Sequence, residues 1–224
     1  MRTQTAVVLG STGLTGQFLV NLLLEDPAFD KVRILVRRPV TLVHPKLEIE
    51  IVDFNALPDY RAKLGKGDAI FCCVGTTQKK VKGNKQLYRQ IDVDIPVHAA
   101  QMGKDAGFAS YFLVSAVGAD SHSMNFYLKL KGEVENEIAA LQFERFHVFR
   151  PSLVLGDRKE FRLMELMAKG VMNLIGPLFI GPIQKYRGML AKDIAAAMLV
   201  AAKNPTHGMF VHHYADMIKA AGNK

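Results

Sequence analysis

A chain of 224 residues, 49% apolar and 22% charged, is long enough to bury one substantial core and too balanced in composition for a disordered or fibrous protein. Its net charge of +8 points toward anionic ligands, yet its cations are scattered, densest at Lys79, Lys80, Lys82 and Lys85, and no nucleic-acid-binding pattern accompanies them, which argues against DNA or RNA. Cys72 and Cys73 are the only cysteines and are adjacent in an apolar run, so a reducing, cytoplasmic setting is expected; Met1-Arg2-Thr3-Gln4 and the early glycine turn lead to the expectation of no signal peptide, and runs such as Ile194 to Ala202 fall far short of the ~18–20 residues of a membrane span.

The apolar run Thr5–Leu9 reads as a buried strand, followed by the glycine-rich turn Gly10-Ser11-Thr12-Gly13-Leu14-Thr15-Gly16 and a helix over Leu14–Glu25. Glycines there let the backbone turn sharply and let a diphosphate approach it, while the helix N-terminus offers unpaired N–H groups. Apolar runs at Val32–Val36, Ile49–Val52, Ala69–Val74, Tyr111–Val114 and Phe146–Phe149 predict further strands covered on both faces. Helical stretches at roughly Gln86–Ala106 and Phe126–Leu141 lie between them. The alternation predicts an α/β fold, a doubly wound parallel sheet, in one domain over 1–224. Beyond Phe149 the pattern loosens. Arg150-Pro151-Ser152 ends the strand. A helix near Glu160–Lys169, a Gly/Pro-rich stretch from Gly176-Pro177 to Gly181-Pro182, a helix from about Asp193 to Ala202 and a last strand over Gly208–His213 follow. This C-terminal part, from residue 152 onward, is expected to supply a substrate pocket or to serve as a plain cap on the sheet.

The second strand is followed by Arg37-Arg38 and by no acid. An acid at that place selects the free ribose of NAD, whereas a guanidinium fork suits a 2′-phosphate, so NADP(H) is favoured over NAD(H). Asp53-Phe54, past the third strand, is placed to meet the adenine edge, with a turn cap as the bland alternative for Asp53. The fourth strand ends in Cys72-Cys73-Val74-Gly75-Thr76-Thr77, where a glycine again admits a ligand to the main chain. The cysteines themselves read as core. Tyr127 and Lys131 are one turn apart on a predicted helix, so an ammonium faces a phenol and is expected to lower its pKa toward the working range. Ser115, at the end of the fifth strand, is placed to orient a substrate oxygen. His212-His213 and the remaining histidines lack ligand spacing, so no metal is expected. Met164, Met167 and Met172 read as adaptable packing.

With these residues in view the chain resembles the short-chain dehydrogenase/reductase superfamily, and more closely the atypical branch that includes the Tat-interactive protein. The resemblance is carried by the glycine turn, Arg37-Arg38-Pro39, Cys72 to Thr77, Val114-Ser115-Ala116-Val117-Gly118-Ala119-Asp120, Asn125-Phe126-Tyr127-Leu128, Lys131-Gly132-Glu133-Val134-Glu135 and Phe149-Arg150-Pro151. It implies a Rossmann-like fold and NADP(H) bound by Gly10 to Gly16, Arg37, Arg38, Asp53, Phe54, Val74, Gly75 and Thr76, with Tyr127, Lys131, Pro151, Ser152 and Leu153 at the nicotinamide end. It also implies a Ser115/Tyr127/Lys131 triad. The chain departs from the family pattern in its Gly-x-x-Gly-x-x-Gly spacing, usual for extended and atypical members. It also places Asp92 where many members carry a proton-relaying asparagine.

The expected function is NADPH-dependent reduction of a small carbonyl compound, with Tyr127 as acid, Lys131 as tuner and ribose anchor, and Ser115 as substrate orienter. A second reading is an NADPH-binding redox sensor that regulates protein partners with little turnover. A third is an enzyme like the sugar-nucleotide epimerases. Neither a membrane nor nucleic acid is an expected partner, and monomer and homodimer stand level.

Overall fold

Strand β1 (Gln4–Leu9) divides the core in two, because successive side chains of a strand point to opposite faces: Val7 and Leu9 enter one apolar cluster, Ala6 and Val8 the other. The computed structural model describes residues 3–156 and 185–222. The expected helix near 160–169, the Gly/Pro-rich stretch at 176–182 and the three methionines at 164, 167 and 172 lie outside the described residues.

From β1 the chain passes through α1 (Leu14–Glu25) to β2 (Phe29–Val36) and β3 (Leu47–Ile51), then α2 (Leu57–Leu64) and β4 (Ala69–Cys72). A short α3 (Lys85–Arg89) runs through a π-helical turn, Gln90–Asp94, into α4 (Ile95–Asp105) and β5 (Ser110–Val114). Next come α5 (Phe126–Ala139), β6 (Arg145–Phe149) and β7 (Val154–Leu155). The chain closes with β8 (Met189–Leu190), α6 (Ala191–Lys203), β9 (Gly208–His212) and α7 (Tyr214–Ala220). Seven strands form one sheet in the order β3-β2-β1-β4-β5-β6-β9, with every pair parallel; β7 and β8 make a separate two-stranded ladder. The chain winds outward from β1 to β3 and then returns to β4, so the sheet reverses direction between β1 and β4. That reversal opens a crevice at the strands' carboxyl ends.

Helices α1 and α6 bury Leu19, Leu23, Ile194 and Met198 against one face; α2, α4 and α5 bury Tyr60, Ala99, Val134 and Ile138 against the other. Two buried tyrosines on that second side fasten the start of α4. Tyr60 donates its hydroxyl to the Ile95 carbonyl at 3.0 Å and Tyr111 donates to the Pro96 carbonyl at 2.8 Å. A buried phenol that finds such a partner keeps the benefit of its ring without a desolvation penalty on its oxygen.

The structure departs from the expected elements in three places. The helix expected over Gln86–Ala106 is split by the π-helical turn, where the Ile95 N–H reaches back to the Gln90 carbonyl. Pro96, next in the chain, has no N–H to continue a regular ladder there. The fourth strand stops at Cys72, which leaves Cys73, Val74 and Gly75 irregular above the crevice. Helices α2 and α7 and the β7–β8 ladder are additions. In α2 only Tyr60 and Leu64 are buried, so its apolar signal is thin.

Candidate functional site

The glycine turn is shaped by close approach. Gly10 has φ 77°, and a Cβ there would stand 2.6 Å from the Cys73 carbonyl carbon. Gly16 sits inside α1, beneath the Gly10 carbonyl. Gly13 caps α1 without a side-chain hydrogen bond, and its own N–H donates to the Gly10 carbonyl at 2.9 Å, so the turn is held tight while the helix N-terminus faces outward. Ser11 is buried, and its Oγ has no hydrogen-bond partner among the described residues. An unpartnered buried hydroxyl beside a helix N-terminus, in a cradle that side chains would fill, suits a phosphate group.

The turn forms one wall of a cleft. Gly10, Ser11, Thr12 and Gly13 line it together with Arg37, Phe54, Val74, Gly75 and Lys80. An adjoining hollow shares Arg37, Phe54, Ile91 and Ile95 and adds Asp53 and Leu87. The structure thus brings Arg37, Asp53, Phe54, Val74 and Gly75 to the same opening as the glycine turn. Leu14, Thr15 and Gly16 belong to α1, where Thr15 and Gly16 are buried in the helix packing. Arg38 is exposed and does not line the cleft. Asp53 also fills the local role foreseen as its alternative, accepting the Asn55 N–H at 2.9 Å. Lys80, Leu87 and Ile91 were not expected here. Lys80 belongs to the basic loop, which is pinned by the buried side chain of Val81.

Tyr127 and Lys131 lie on α5, whose start is fixed by Asn125: its Oδ1 accepts the Tyr127 N–H at 3.0 Å and the Leu128 N–H at 3.2 Å. Gly132 lets that helix press against the loop before it, because a Cβ there would stand 2.1 Å from the Ser121 nitrogen. The Lys131 Nζ lies 5.9 Å from the Tyr127 ring centre. It also forms a buried ion pair, 3.0 Å from Asp92 Oδ1, with side chains only 5% and 1% exposed. Asp92 Oδ2 accepts the Thr76 N–H at 2.9 Å, and Tyr88 donates its hydroxyl to the Thr76 carbonyl at 3.2 Å. Thr76 is therefore held from both sides, next to Gly75 of the cleft wall.

The expected lowering of the tyrosine pKa does not emerge from this arrangement. Burial pushes the Tyr127 phenol up, Lys131 pulls it down, and Asp92 pushes it up again; the net shift is upward. Burial would depress Lys131, but Asp92 and Tyr127 overcome that and hold it above its ordinary value. The ammonium is firmly charged, and Asp92 offsets part of its field.

Ser115 points elsewhere. Its hydroxyl donates to the buried Glu135, which is gripped in turn by Nε and Nη2 of Arg150. This network joins the ends of β5 and β6 to α5. Pro151, next to Arg150, accepts the Val117 N–H at 2.9 Å, and the Leu153 carbonyl accepts from Met189 at 2.9 Å, so both are tied into main-chain contacts; Ser152 is half-buried between them. Cys72 is fully buried and Cys73 partly so, both unbridged, with thiol pKa values raised by burial. Among the described residues no cluster of His, Cys, Asp and Glu could hold a metal, and no helix is long and apolar enough to cross a membrane.

A strand, glycine turn and helix that open on the switch point of a sheet in this order are what a Rossmann dinucleotide-binding domain presents. Residues 10–163 match the model of the NAD(P)H-binding family, and the chain belongs to that family. It is 35% identical over 172 residues to Protein HTATIP2 of Rattus norvegicus, covering 75% of this chain and 70% of that protein. It is likewise 35% identical over 156 residues to the protein named FMP52, mitochondrial, of Debaryomyces hansenii, covering 70% and 69%. In fold it is similar to a UDP-N-acetylglucosamine 4-epimerase from Methanobrevibacter ruminantium M1 solved with UDP-N-acetylmuramic acid, at a TM-score of 0.71 and 16% identity, covering 95% of this chain and 77% of that one.

Proposed function

We propose that the protein is an NADP(H)-dependent reductase of a small carbonyl compound. The observation that carries this reading is the position of the Tyr127–Lys131 pair, joined through Asp92 and Thr76 to the wall of the glycine-turn cleft. Gly10 to Gly13, with the free Ser11 hydroxyl, would hold the diphosphate; Arg37, with Arg38 beyond the rim, the 2′-phosphate; Asp53 and Phe54 the adenosine end; Val74, Gly75, Thr76 and Pro151 to Leu153 the stretch toward the nicotinamide. Bound there, the cofactor would supply a hydride for a carbonyl carbon. Tyr127 gives its phenolic proton to the carbonyl oxygen as charge develops on it, and its raised pKa keeps that proton in place at neutral pH. Lys131 stabilises the phenolate left behind and anchors the ribose. Ser115 can orient the substrate oxygen only by leaving Glu135.

That engagement of Ser115 favours a second reading, an NADPH-binding regulator with little turnover that meets protein partners in one redox state. The epimerase-like reading has only the shared fold behind it. Free thiols suit a reducing compartment, and the fungal relative's name sets the mitochondrion beside the cytoplasm as a candidate.

Titration with NADPH and NADH, followed by a carbonyl-substrate screen with wild type and Tyr127→Phe, tests the reading. Tight NADPH binding with weak NADH binding, and turnover lost in Tyr127→Phe, is the expected result. NADPH binding without turnover of any carbonyl selects the regulator, and binding of neither nucleotide overturns both readings.

A further inference from the structure

The two oxygens of the Asp92 carboxylate engage two different parts of the chain. Oδ1 faces the Lys131 ammonium on α5, and Oδ2 accepts the main-chain N–H of Thr76 in the loop that follows β4. Its oxygen also lies against Gly75: a Cβ on that glycine would stand 3.7 Å from Oδ1. A buried ion pair is costly to form and is weak grounds for stability, so one that links a reacting helix to a cofactor wall calls for another role. The π-helical turn supplies the placement, as such turns often do at functional sites.

We propose that Asp92 is a positioning residue for proton transfer: its carboxylate fixes the Lys131 ammonium beside Tyr127 and ties it to the Thr76 main chain at the cleft wall, so that neutralising Asp92 moves the pH dependence of Tyr127 downward. The inference rests on the reading of Tyr127 as the proton donor. The groups facing this pair are Tyr127 on α5, Tyr88 on α3 and Cys72 on β4, and each feels the charge of Asp92 or Lys131. Burial raises the Tyr88 phenol and the Cys72 thiol as well.

The sign follows from the charges. Asp92→Asn removes a negative charge that opposes phenolate formation, which favours loss of the Tyr127 proton. The same substitution deprives Lys131 of the partner that holds its proton against burial. Tyr127 and Lys131 titrate as a pair, so the loss of Asp92 makes the pair's first proton leave at lower pH, and tyrosinate absorbance reads the share of it that comes from Tyr127. The alkaline limb of a reduction that needs Tyr127 protonated moves the same way.

The test needs no substrate. Tyrosinate absorbance is titrated in wild type and in Asp92→Asn, each against its own Tyr127→Phe counterpart, so that the difference isolates Tyr127. The Tyr127 midpoint is expected to fall by about one pH unit or more in Asp92→Asn, the size of shift a single charge at close range produces. Asp92→Glu, which retains the charge, is expected to restore most of the wild-type midpoint. Asp92→Ser asks the same question as Asp92→Asn if the asparagine variant does not fold. An unchanged midpoint in a folded, neutralised variant overturns the proposal, as does an equal fall in Asp92→Glu. NADPH affinity measured on the same samples separates the two readings. Tight NADPH binding with an unmoved Tyr127 sinks the Asp92 inference alone; a lowered midpoint without NADPH binding sinks the functional reading and leaves the coupling intact.

Discussion

Gly16 lies directly under the carbonyl of Gly10: a Cβ at position 16 would stand 2.2 Å from that oxygen, with no side chain free to yield. The turn that cradles the cleft and the helix behind it are locked together through this one contact. Gly16→Ala is therefore expected to push the turn outward at a cost of about 1–3 kcal/mol, typical of overpacking against rigid surroundings. Urea denaturation measures the loss. NADPH titration of the folded fraction should show weaker binding than wild type, because the displaced turn is the proposed diphosphate cradle.

Arg150 and Ser115 both serve the buried Glu135, but unequally. Arg150 brings the opposing charge and two donors, whereas Ser115 brings one neutral donor. Arg150→Met leaves a buried carboxylate without a counter-charge and is expected to cost about 3–5 kcal/mol. Ser115→Ala removes one hydrogen bond and is expected to cost about 1–2 kcal/mol. Equilibrium unfolding of the two variants gives the ranking, and equal losses would contradict it.

The two cations at the cleft, Arg37 and Lys80, come from separate loops and face the same opening. If Arg37 meets a 2′-phosphate through paired N–H groups, Arg37→Ala should lower NADPH affinity by roughly tenfold and leave NADH affinity nearly unchanged. Lys80→Ala should lower NADPH affinity less, since a single ammonium acts as a point charge without the fork. Parallel titrations with the two nucleotides decide the matter: an equal loss for both would place these cations at the diphosphate instead.

A stack of rings runs through β5, β6 and β9. His147 lies flat against Phe112 and Phe210, and its Nδ1 is 2.9 Å from the Nε2 of His212. Burial lowers the His147 pKa to about 4, and it depresses His212 as well. The unfolded chain then binds more protons than the native one once the pH drops below about 6.5, the ordinary histidine value. Stability from the neutral pair is fully present above that pH and declines as the pH falls toward 4. His147→Phe should flatten this acid slope, as urea midpoints between pH 4.5 and 7.5 would reveal.

How far the fold could be read depended on where its signals lay in the chain. The run from Thr5 to Glu25 was legible because strand, turn and helix each carry their own pattern within a few residues. The sheet followed from near-continuous apolar runs such as Ala69–Val74 and Phe146–Phe149. Helix α2 escaped because only Tyr60 and Leu64 face the core, although Pro58 just inside its start and Gly65 at its end, with φ 62°, marked it. The partners of the reacting residues were not legible. Asp92 reaches Lys131 only because a π-helical turn aims it inward, and Glu135 claims Ser115 through contacts between elements distant in sequence. A charge pattern on one helix could suggest that Lys131 faces Tyr127, but not that a third charge would outweigh part of its effect.

The wide turn at Gln90–Asp94 also sets a phase. An α-helix rotates about 100° per residue, so the turn's extra residue lets α3 and α4 present faces that a single uninterrupted helix would keep out of step. Deleting one residue there would leave the composition of the helix almost intact and swing Asp92 a quarter-turn or so from Lys131, with Tyr88 and Thr76 losing their alignment in the same stroke. In this chain the link between cofactor wall and reacting helix is thus a matter of helical timing: a change in length at this turn would do what no change of side chain elsewhere in α3 or α4 could do.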